Sequence, residues 1–376
     1  MRILLIILLS AFVCQSAQSQ TADPLKIKGD SIVVQISVYG ILQKLSDDNK
    51  DIVFLNALNA AKNRDNFMDA FAEAWGKTET KPSLSQIFGT YALRDRINRN
   101  TTDEDVLKVI KAETDRLIKQ TVAIIYERID NYGIFSPKIT YLNNSGKIQI
   151  KVYGVKDLAH LRNIIKTPGR LEYWETYDVL EIYSVLQKID SMLHERTKEE
   201  HPLFYKLSPP VNGYNGNLFP GPVVGKTLIS DTAQINAWFS DPVIINMLPQ
   251  NLSLKWAYKS EGDFLNLIAI KVNTRNRKAP LDGSSMEKIQ RKPFENIIDV
   301  RMNAEGARIW QRITVDNIGR AIAIVIDNRV YMHPIVQSEI TGGRIHISGN
   351  FTKQEVDDIV VVLKSKELPA VVDILH

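Results

Sequence analysis

No stretch limits the fold of this chain as much as NTTDEDVLKVIKAETDRLIKQTVAIIYERID, residues 100–130, the longest helical pattern in the sequence. A threonine at its start can cap the first turn, and Asp103, Glu104 and Asp105 suit the positive end of a helix. Val106, Ile110, Leu117, Val122 and Ile125 then recur on one face, and the pattern stops at Gly133. SIVVQISV (31–38) precedes it with β-branched residues at strand period. KITYL (138–142) and KIQIKV (147–152) follow as a hairpin turning at Asn143-Asn144-Ser145-Gly146. A short helix from Lys156 to Lys166 and a strand RLEYWET (170–176) complete the series. The order strand, helix, strand, strand, helix, strand is that of the ferredoxin-like sandwich, so the expected class is α+β with a ferredoxin-like base.

Two further blocks interrupt that plan. Between Asp47 and Arg99 the apolar residues Phe54, Leu55, Leu58 and Ala61, then Phe67, Ala70, Phe71 and Trp75, then Ile87, Tyr91 and Leu93 have helical spacing, broken at GKTETKP. They predict a helical insertion of two or three short helices at 47–99. Beyond residue 177 comes a helix through VLEIYSVLQKIDSML, a charged HERTKEEH stretch, and SPPVNGYNGNLFPGPVVGKT, whose Pro, Gly and Asn content predicts a long loop. LSLKWAY (252–258), LNLIAIKV (265–272) and IIDVRMN (297–303) read as strands, Glu305–Asn317 as a helix, and AIAIVI with VYMHP as a hairpin. A second α+β unit is thus inserted after the first.

The first residues, MRILLIILLSAFVCQSAQSQ, are apolar from 3 to 14 apart from Ser10, well short of the roughly 20 residues that span a hydrocarbon core. Arg2 precedes the run, and Ala17 and Ser19 follow at the spacing a signal peptidase accepts, so a signal peptide over residues 1–19 is expected. The alternative is an envelope lipoprotein acylated at Cys14, against which Val13 stands where a small residue is preferred. Either reading exports the chain, into the periplasm. Cys14 is the sole cysteine, so the processed chain has no disulfide, thiolate nucleophile or cysteine metal site. With 44% hydrophobic residues in 376, one large or two medium cores can form. The net charge of +4 lies in mixed-sign clusters such as KEEHPLFYK, which argues against nucleic acid as a partner.

Several motifs that mimic active sites dissolve on inspection. GPVVGKT (221–227) has three residues between its glycines where a phosphate-binding loop needs four, and Pro222 removes an amide, so no nucleotide is expected. His194 and His201 are seven apart, unlike the i,i+4 pair of a zinc helix, and no metal or cofactor is expected. Asp327-Asn328 fits a tight turn, where both residue types tolerate positive φ, better than a catalytic acid. EITGGRIHISGNFT (339–352) carries no nucleophile and base that converge, and reads as a strand pair with flexible corners. No enzyme is expected.

At that stretch a resemblance emerges. MNAEGARIWQRITVDNIGRAIAIVIDNRVYMHPIVQSEITGGRIHISGNFTKQEVDDIVVVLKSKELPAVVDIL (302–375) closely resembles the end of the first periplasmic domain of SecD, an accessory subunit of the Sec protein-export machinery. ERIDNYGIFSPKI (127–139), KIQIKVYGVKDLAHLRNIIKTPGRLEYWE (147–175) and LKIKGDSIVVQISV (25–38) are similar to further parts of that domain, and longer SecDF forms share a helical insertion. The resemblance implies a base over 24–176, a head over 177–351, and a return over 352–376, in which Thr352-Lys353-Gln354-Glu355 caps a helix. Ile359, Val360 and Leu363 would pack that helix on the base, and VVDIL (371–375) would add its last strand. Four turn positions depart from the family: Asp30, Asn328 and Lys366 stand in place of glycines and Tyr153 in place of a proline.

By that resemblance the head contacts unfolded or newly translocated polypeptide and swings on hinges near Glu175-Thr176 and Gly349-Asn350. Tyr331, Met332 and Ile335 beside the Gly342-Gly343 corner are the expected polypeptide contacts, with ordinary hairpin packing as their other reading. The family's intramembrane acids have no counterpart here, so no proton pumping is expected. The alternative is a protein that docks on a Sec translocon membrane subunit or another envelope complex without touching clients.

Overall fold

The computed structural model describes residues 29–212 and 216–375; the expected signal peptide and Cys14 lie outside the described residues. The first unit runs β1 (Asp30–Ile36), α1 (Val38–Leu45), α2 (Ile52–Ala61), α3 (Phe67–Gly76), α4 (Leu84–Phe88), α5 (Asp103–Asn131), β2 (Lys138–Tyr141), β3 (Lys147–Val152) and α6 (Leu158–Lys166). Thr102 caps α5 by accepting from the Asp105 amide, with three acidic residues in its first turn. At about 1.5 Å per residue, its 29 residues reach roughly 44 Å. Asn143 shapes the β2–β3 turn by accepting from the amides of Ser145 and Lys147, both at 3.0 Å.

The insertion folds into the same core as the sheet. Phe54 meets Phe71 and Phe88 edge to face at 6.1 and 5.5 Å, and Trp75 stacks on Phe71 at 6.2 Å. These rings share one cluster with Ile32, Val34, Ile148 and Ile150 of the sheet and Leu161 of α6. Asp103 ties the insertion to α5, accepting from Trp75 Nε1 at 3.0 Å and the Leu84 amide at 2.7 Å. Tyr91 departs from its expected helical place: it lies in a turn, 74% exposed, with the Arg94 guanidinium 3.9 Å over its ring.

The remaining elements are β4 (Leu171–Glu175), α7 (Val179–Thr197), α8 (Pro202–Lys206), β5 (Val223–Leu228), α9 (Thr232–Phe239), α10 (Pro242–Met247), β6 (Leu252–Trp256) and β7 (Phe264–Lys271). Then come β8 (Leu281–Asp282), β9 (Met286–Arg291), β10 (Ile298–Met302), α11 (Ala304–Asp316), β11 (Ile322–Ile326), β12 (Arg329–Met332), β13 (Arg344–Ile347), α12 (Lys353–Lys364) and β14 (Val372–Ile374). The expected long loop therefore ends in a strand, because VVGKTL alternates buried Gly225 and Thr227 with exposed Lys226 and Leu228 and pairs with β7, with a register shift at Val223/Gly225.

Four antiparallel sheets result, ordered β14-β1-β3-β2, β12-β11-β4-β8, β5-β7-β6 and β13-β10-β9. The strand RLEYWET, placed by the sequence reading at the end of the first series, instead pairs with β11. Its residues explain this: Tyr173 packs in one core and Trp174 in another, so β4 needs cover on both faces and takes a central position. The strand that completes the first sheet is β14, through Val34↔Ile374 and Ile36↔Val372.

Helix α12 has the expected capping box at Thr352 and Glu355. Its apolar stripe, however, turns away from the first unit: Val356, Ile359 and Leu363 join Ile298, Val300 and Trp310, with Val360 at the margin. The polar side faces the first unit instead, where Asp358 meets His160 at 2.9 Å and Lys364 meets Asn131 at 2.9 Å.

In the β13-β10-β9 sheet, buried Asp299 accepts from Arg344 Nε at 2.7 Å and Nη2 at 3.1 Å, with His346 Nε2 at 3.2 Å. The Arg344 hydrogen bonds hold the Asp299 carboxyl below its ordinary range against the opposing effect of burial. The unfolded chain therefore takes up a proton first as acid is added, so this part of the stability is present above the unfolded pKa and is lost as pH falls through the folded one. Urea-unfolding midpoints are expected to drop below about pH 4, and Asp299→Asn is expected to flatten part of that slope while lowering the plateau at neutral pH.

Candidate functional site

The two units meet around one arginine. Arg128 stands in the last turn of α5, fully buried, on the face that also carries Leu117, Ile124 and Ile125. Its Nη1 donates to the carbonyls of Ile164 (3.0 Å), Ile165 (3.3 Å) and Thr167, and its Nη2 to those of Pro168 (3.0 Å) and Lys366 (3.2 Å). The first acceptors are carbonyls at the end of α6, which lack helical partners and carry the negative end of its dipole. Burial lowers the guanidinium pKa to about 10, so it remains a cation at neutral pH.

A carboxylate balances it. Asp327 accepts from the amides of Gly169 (3.1 Å) and Arg170 (2.8 Å), while Arg170 pairs with Glu367 at 2.9 Å. Burial pushes the Asp327 carboxyl above its ordinary value, against the pull of those amides and of Arg128. Gly169, at φ +81, fits where no side chain could: a Cβ there would lie 2.9 Å from both Arg128 Nη2 and Val362 Cγ1. Asp327 and Asn328 form the expected tight turn, at φ 48 and 67. The sequence reading missed that the Asp327 carboxylate also holds the α6–β4 connection. An arginine at core spacing on α5 was the available signal.

Four segments, ERID, TPGR, VIDN and KELP, converge at this joint, and both crossings between the units, 167–170 and 365–371, pass through it. Lys366 occupies a left-handed position at φ +68 without losing the bond from Arg128, because that bond uses its carbonyl. Lys366→Gly is expected to relieve the backbone strain and raise stability by about 1 kcal/mol, read as a higher urea midpoint at unchanged slope.

The expected hinge and contact residues lie elsewhere. Glu175 pairs with Ile322, and buried Thr176 donates from Oγ1 to the Ala321 carbonyl at 2.8 Å while bridging Ile270. Gly349 and Asn350 follow β13 in an exposed bend, with Gly349 against the Phe351 ring. Tyr331 stacks on Tyr258 at 4.1 Å and lies 6.0 Å from Phe351, and Met332 packs against the same core. Burial raises the Tyr331 hydroxyl pKa. Ile335 is 57% exposed beyond the end of β12. Gly342 is open, whereas Gly343 lies against Ala307 of α11 and its carbonyl accepts from the Met302 amide at 2.8 Å. Tyr331 and Gly343 thus have different neighbours, and the five residues do not form one cleft.

A groove does open in the same unit, between α9, α10 and strand β6. It has a volume of about 610 Å³ and is lined by Phe239, Ile245, Leu248, Leu252, Leu254 and Leu267, with Asn236, Gln250 and Arg277 among its polar residues. A second groove of about 690 Å³ is aromatic, with Tyr183 stacked on Phe204 at 5.5 Å and Tyr205 83% exposed. Among the described residues, no group of His, Cys, Asp or Glu could hold a metal ion, and no helix is long and apolar enough to cross a membrane.

Comparison with known proteins finds similarity to protein translocase subunits. Residues 118–178 match the family described as protein translocase subunit SecDF, P1 domain, N-terminal, and residues 269–370 match the SecDF P1 head subdomain. The chain is similar to SecD in the region that these two parts of the P1 domain form. Protein translocase subunit SecD of Rhodothermus marinus is 27% identical over 393 residues, which cover 93% of this chain and 60% of the relative. SecD of Calditerrivibrio nitroreducens is 24% identical over 75% of this chain and 44% of its own length. SecD of Magnetococcus marinus is 42% identical over 82 residues, 22% of this chain and 16% of its own. This chain therefore spans about 60% or less of each of these relatives. Among solved structures, SecDF described as a membrane component that enhances protein export aligns over 70% of this chain and 92% of its own, with 19% identity and a TM-score of 0.39. SecDF in a super-membrane-facing form aligns over 69% and 28%, with 17% identity and a TM-score of 0.40.

Proposed function

We propose that this chain acts in protein export as a SecD-like periplasmic domain that holds unfolded or newly translocated polypeptide on its second unit. The kinship with protein translocase subunit SecD supports the setting. The observation that carries polypeptide binding is the apolar groove beside β6, whose alternation of leucines and polar rim suits chains of varied sequence.

In this reading the first unit is a ferredoxin-like base, supported by the order β14-β1-β3-β2 with every neighbour antiparallel. The head over 177–351 takes in β4 and the apolar face of α12 through their shared core, and β14 returns the chain to the base. Glu175-Thr176, held in the sheet beside β11, and Gly349-Asn350 lie inside the second unit, so movement between the units turns on the crossings at 167–170 and 365–371, which the Arg128–Asp327 joint ties together. Ile335 and Gly342 extend the contact surface at the far corner of the head, while Tyr331, Met332 and Gly343 support it. Proton pumping is no part of this role.

The test is binding of a fluorescently labelled, reduced and carboxymethylated lactalbumin by anisotropy, against the same protein in its native form. Binding of the unfolded form alone is expected. Indifference to both, together with one Sec membrane subunit dominating in-cell crosslinks, would replace this reading with a docking role.

A further inference from the structure

The groove is bounded by a sheet edge that no described residue pairs along its middle. In the β6–β7 ladder the Ala257 amide donates to Asn266 and the Val272 amide to Asn251, which sets the alternation. Ser253 and Lys255 therefore direct their main-chain groups at β7, and Leu252, Leu254 and Trp256 direct theirs outward. The Leu252 amide is used by the Pro249 carbonyl at 2.9 Å, and the bridge from Ala257 to Val330 closes the far end. Between these stops stand the Leu252 carbonyl, both main-chain groups of Leu254, and the Trp256 amide. Their spacing is that of a ladder awaiting a strand.

We propose that this edge of β6 takes up an extended polypeptide as an added strand, with alternate side chains of the polypeptide lying in the apolar groove. The inference rests on the polypeptide-binding reading and specifies how the binding is done. A strand beside β6 puts every second side chain on the face of Leu252 and Leu254, under Phe239, Ile245 and Leu248. Main-chain bonds are indifferent to sequence, and the apolar lining selects only for alternating hydrophobic residues. Arg277, exposed, is the one charged residue of the lining, so the preferred segment carries a carboxylate at the end that reaches it. The occupant is therefore an extended segment of apolar residues at every second position with an Asp or Glu at one end.

The test uses the full chain, the unfolded lactalbumin probe and a synthetic peptide of that alternating pattern. Amide hydrogen exchange at Leu254 and Trp256 is expected to slow at least tenfold when either is added. Leu254→Pro, which removes an outward amide and leaves the ladder to β7 intact, is expected to weaken binding at least tenfold, and Leu254→Ala by less. Should lactalbumin bind with no added protection at these two amides and no effect of Leu254→Pro, the strand-addition proposal is overturned while polypeptide binding stands. Should neither probe bind, both readings fall together. If the two amides are already protected without probe and become exchangeable on deleting residues 1–28, the edge belongs to the chain's own first segment and the proposal is again overturned.

Discussion

Arg128→Met is expected to lower the unfolding free energy by about 3–5 kcal/mol, the scale seen when one partner of a buried ionic network is removed. A methionine nearly fills the space, so the loss reports polar rather than steric damage. Five carbonyls, those of Ile164, Ile165, Thr167, Pro168 and Lys366, lose a donor, the first two of them on buried residues. Asp327 loses a compensating cation as well. Arg128→Lys is expected to recover little, since an ammonium is a point charge with three donors and cannot cover carbonyls from two connections in one plane. Equilibrium urea unfolding followed by far-UV circular dichroism checks both variants. A loss below about 1 kcal/mol for Arg128→Met would mean that the joint is held by packing alone.

Phe54→Ala carries the second large effect, also about 3–5 kcal/mol, the usual range for a buried aromatic cut back to alanine. Phe54 is fully buried and lies edge to face against two other rings, so truncation removes those contacts together with its own burial. The same ring cluster continues into β1 and β3. The expected unfolding is therefore a single transition shifted as a whole. Two separate transitions, with the helical insertion melting first, would show that α2–α4 form an independent layer rather than part of the base core.

Much of this arrangement can be read from residue order. The face of α5, the Asn143 hairpin, α11 and the Thr352 capping box all announce themselves through periodicity or capping chemistry, because each depends on neighbours in sequence. Elements that depend on distant neighbours do not. Strand β9, MEKIQR, has Ile289 as its one buried residue, and α10 is six residues long, so neither builds a visible period. The sheet chosen by β4 depends on cores lying on both of its faces, which its own alternation cannot name. The joint was hidden for a related reason: Arg128 binds carbonyls, which every residue owns. The open edge of β6 is likewise defined by what stands beside it and not by the identity of Leu254.

The pairing of β1 with β14 joins Val34 to Ile374, residues separated by 340 positions. Strand β1 is made long before this partner, so it cannot complete its surroundings until the stretch up to Ile374 has emerged. For that interval DSIVVQI presents an unpaired flank with high β propensity, which is a hazard for misassembly. A chain related to export factors would thus itself depend, late in its own maturation, on being kept from the wrong strand until the right one arrives.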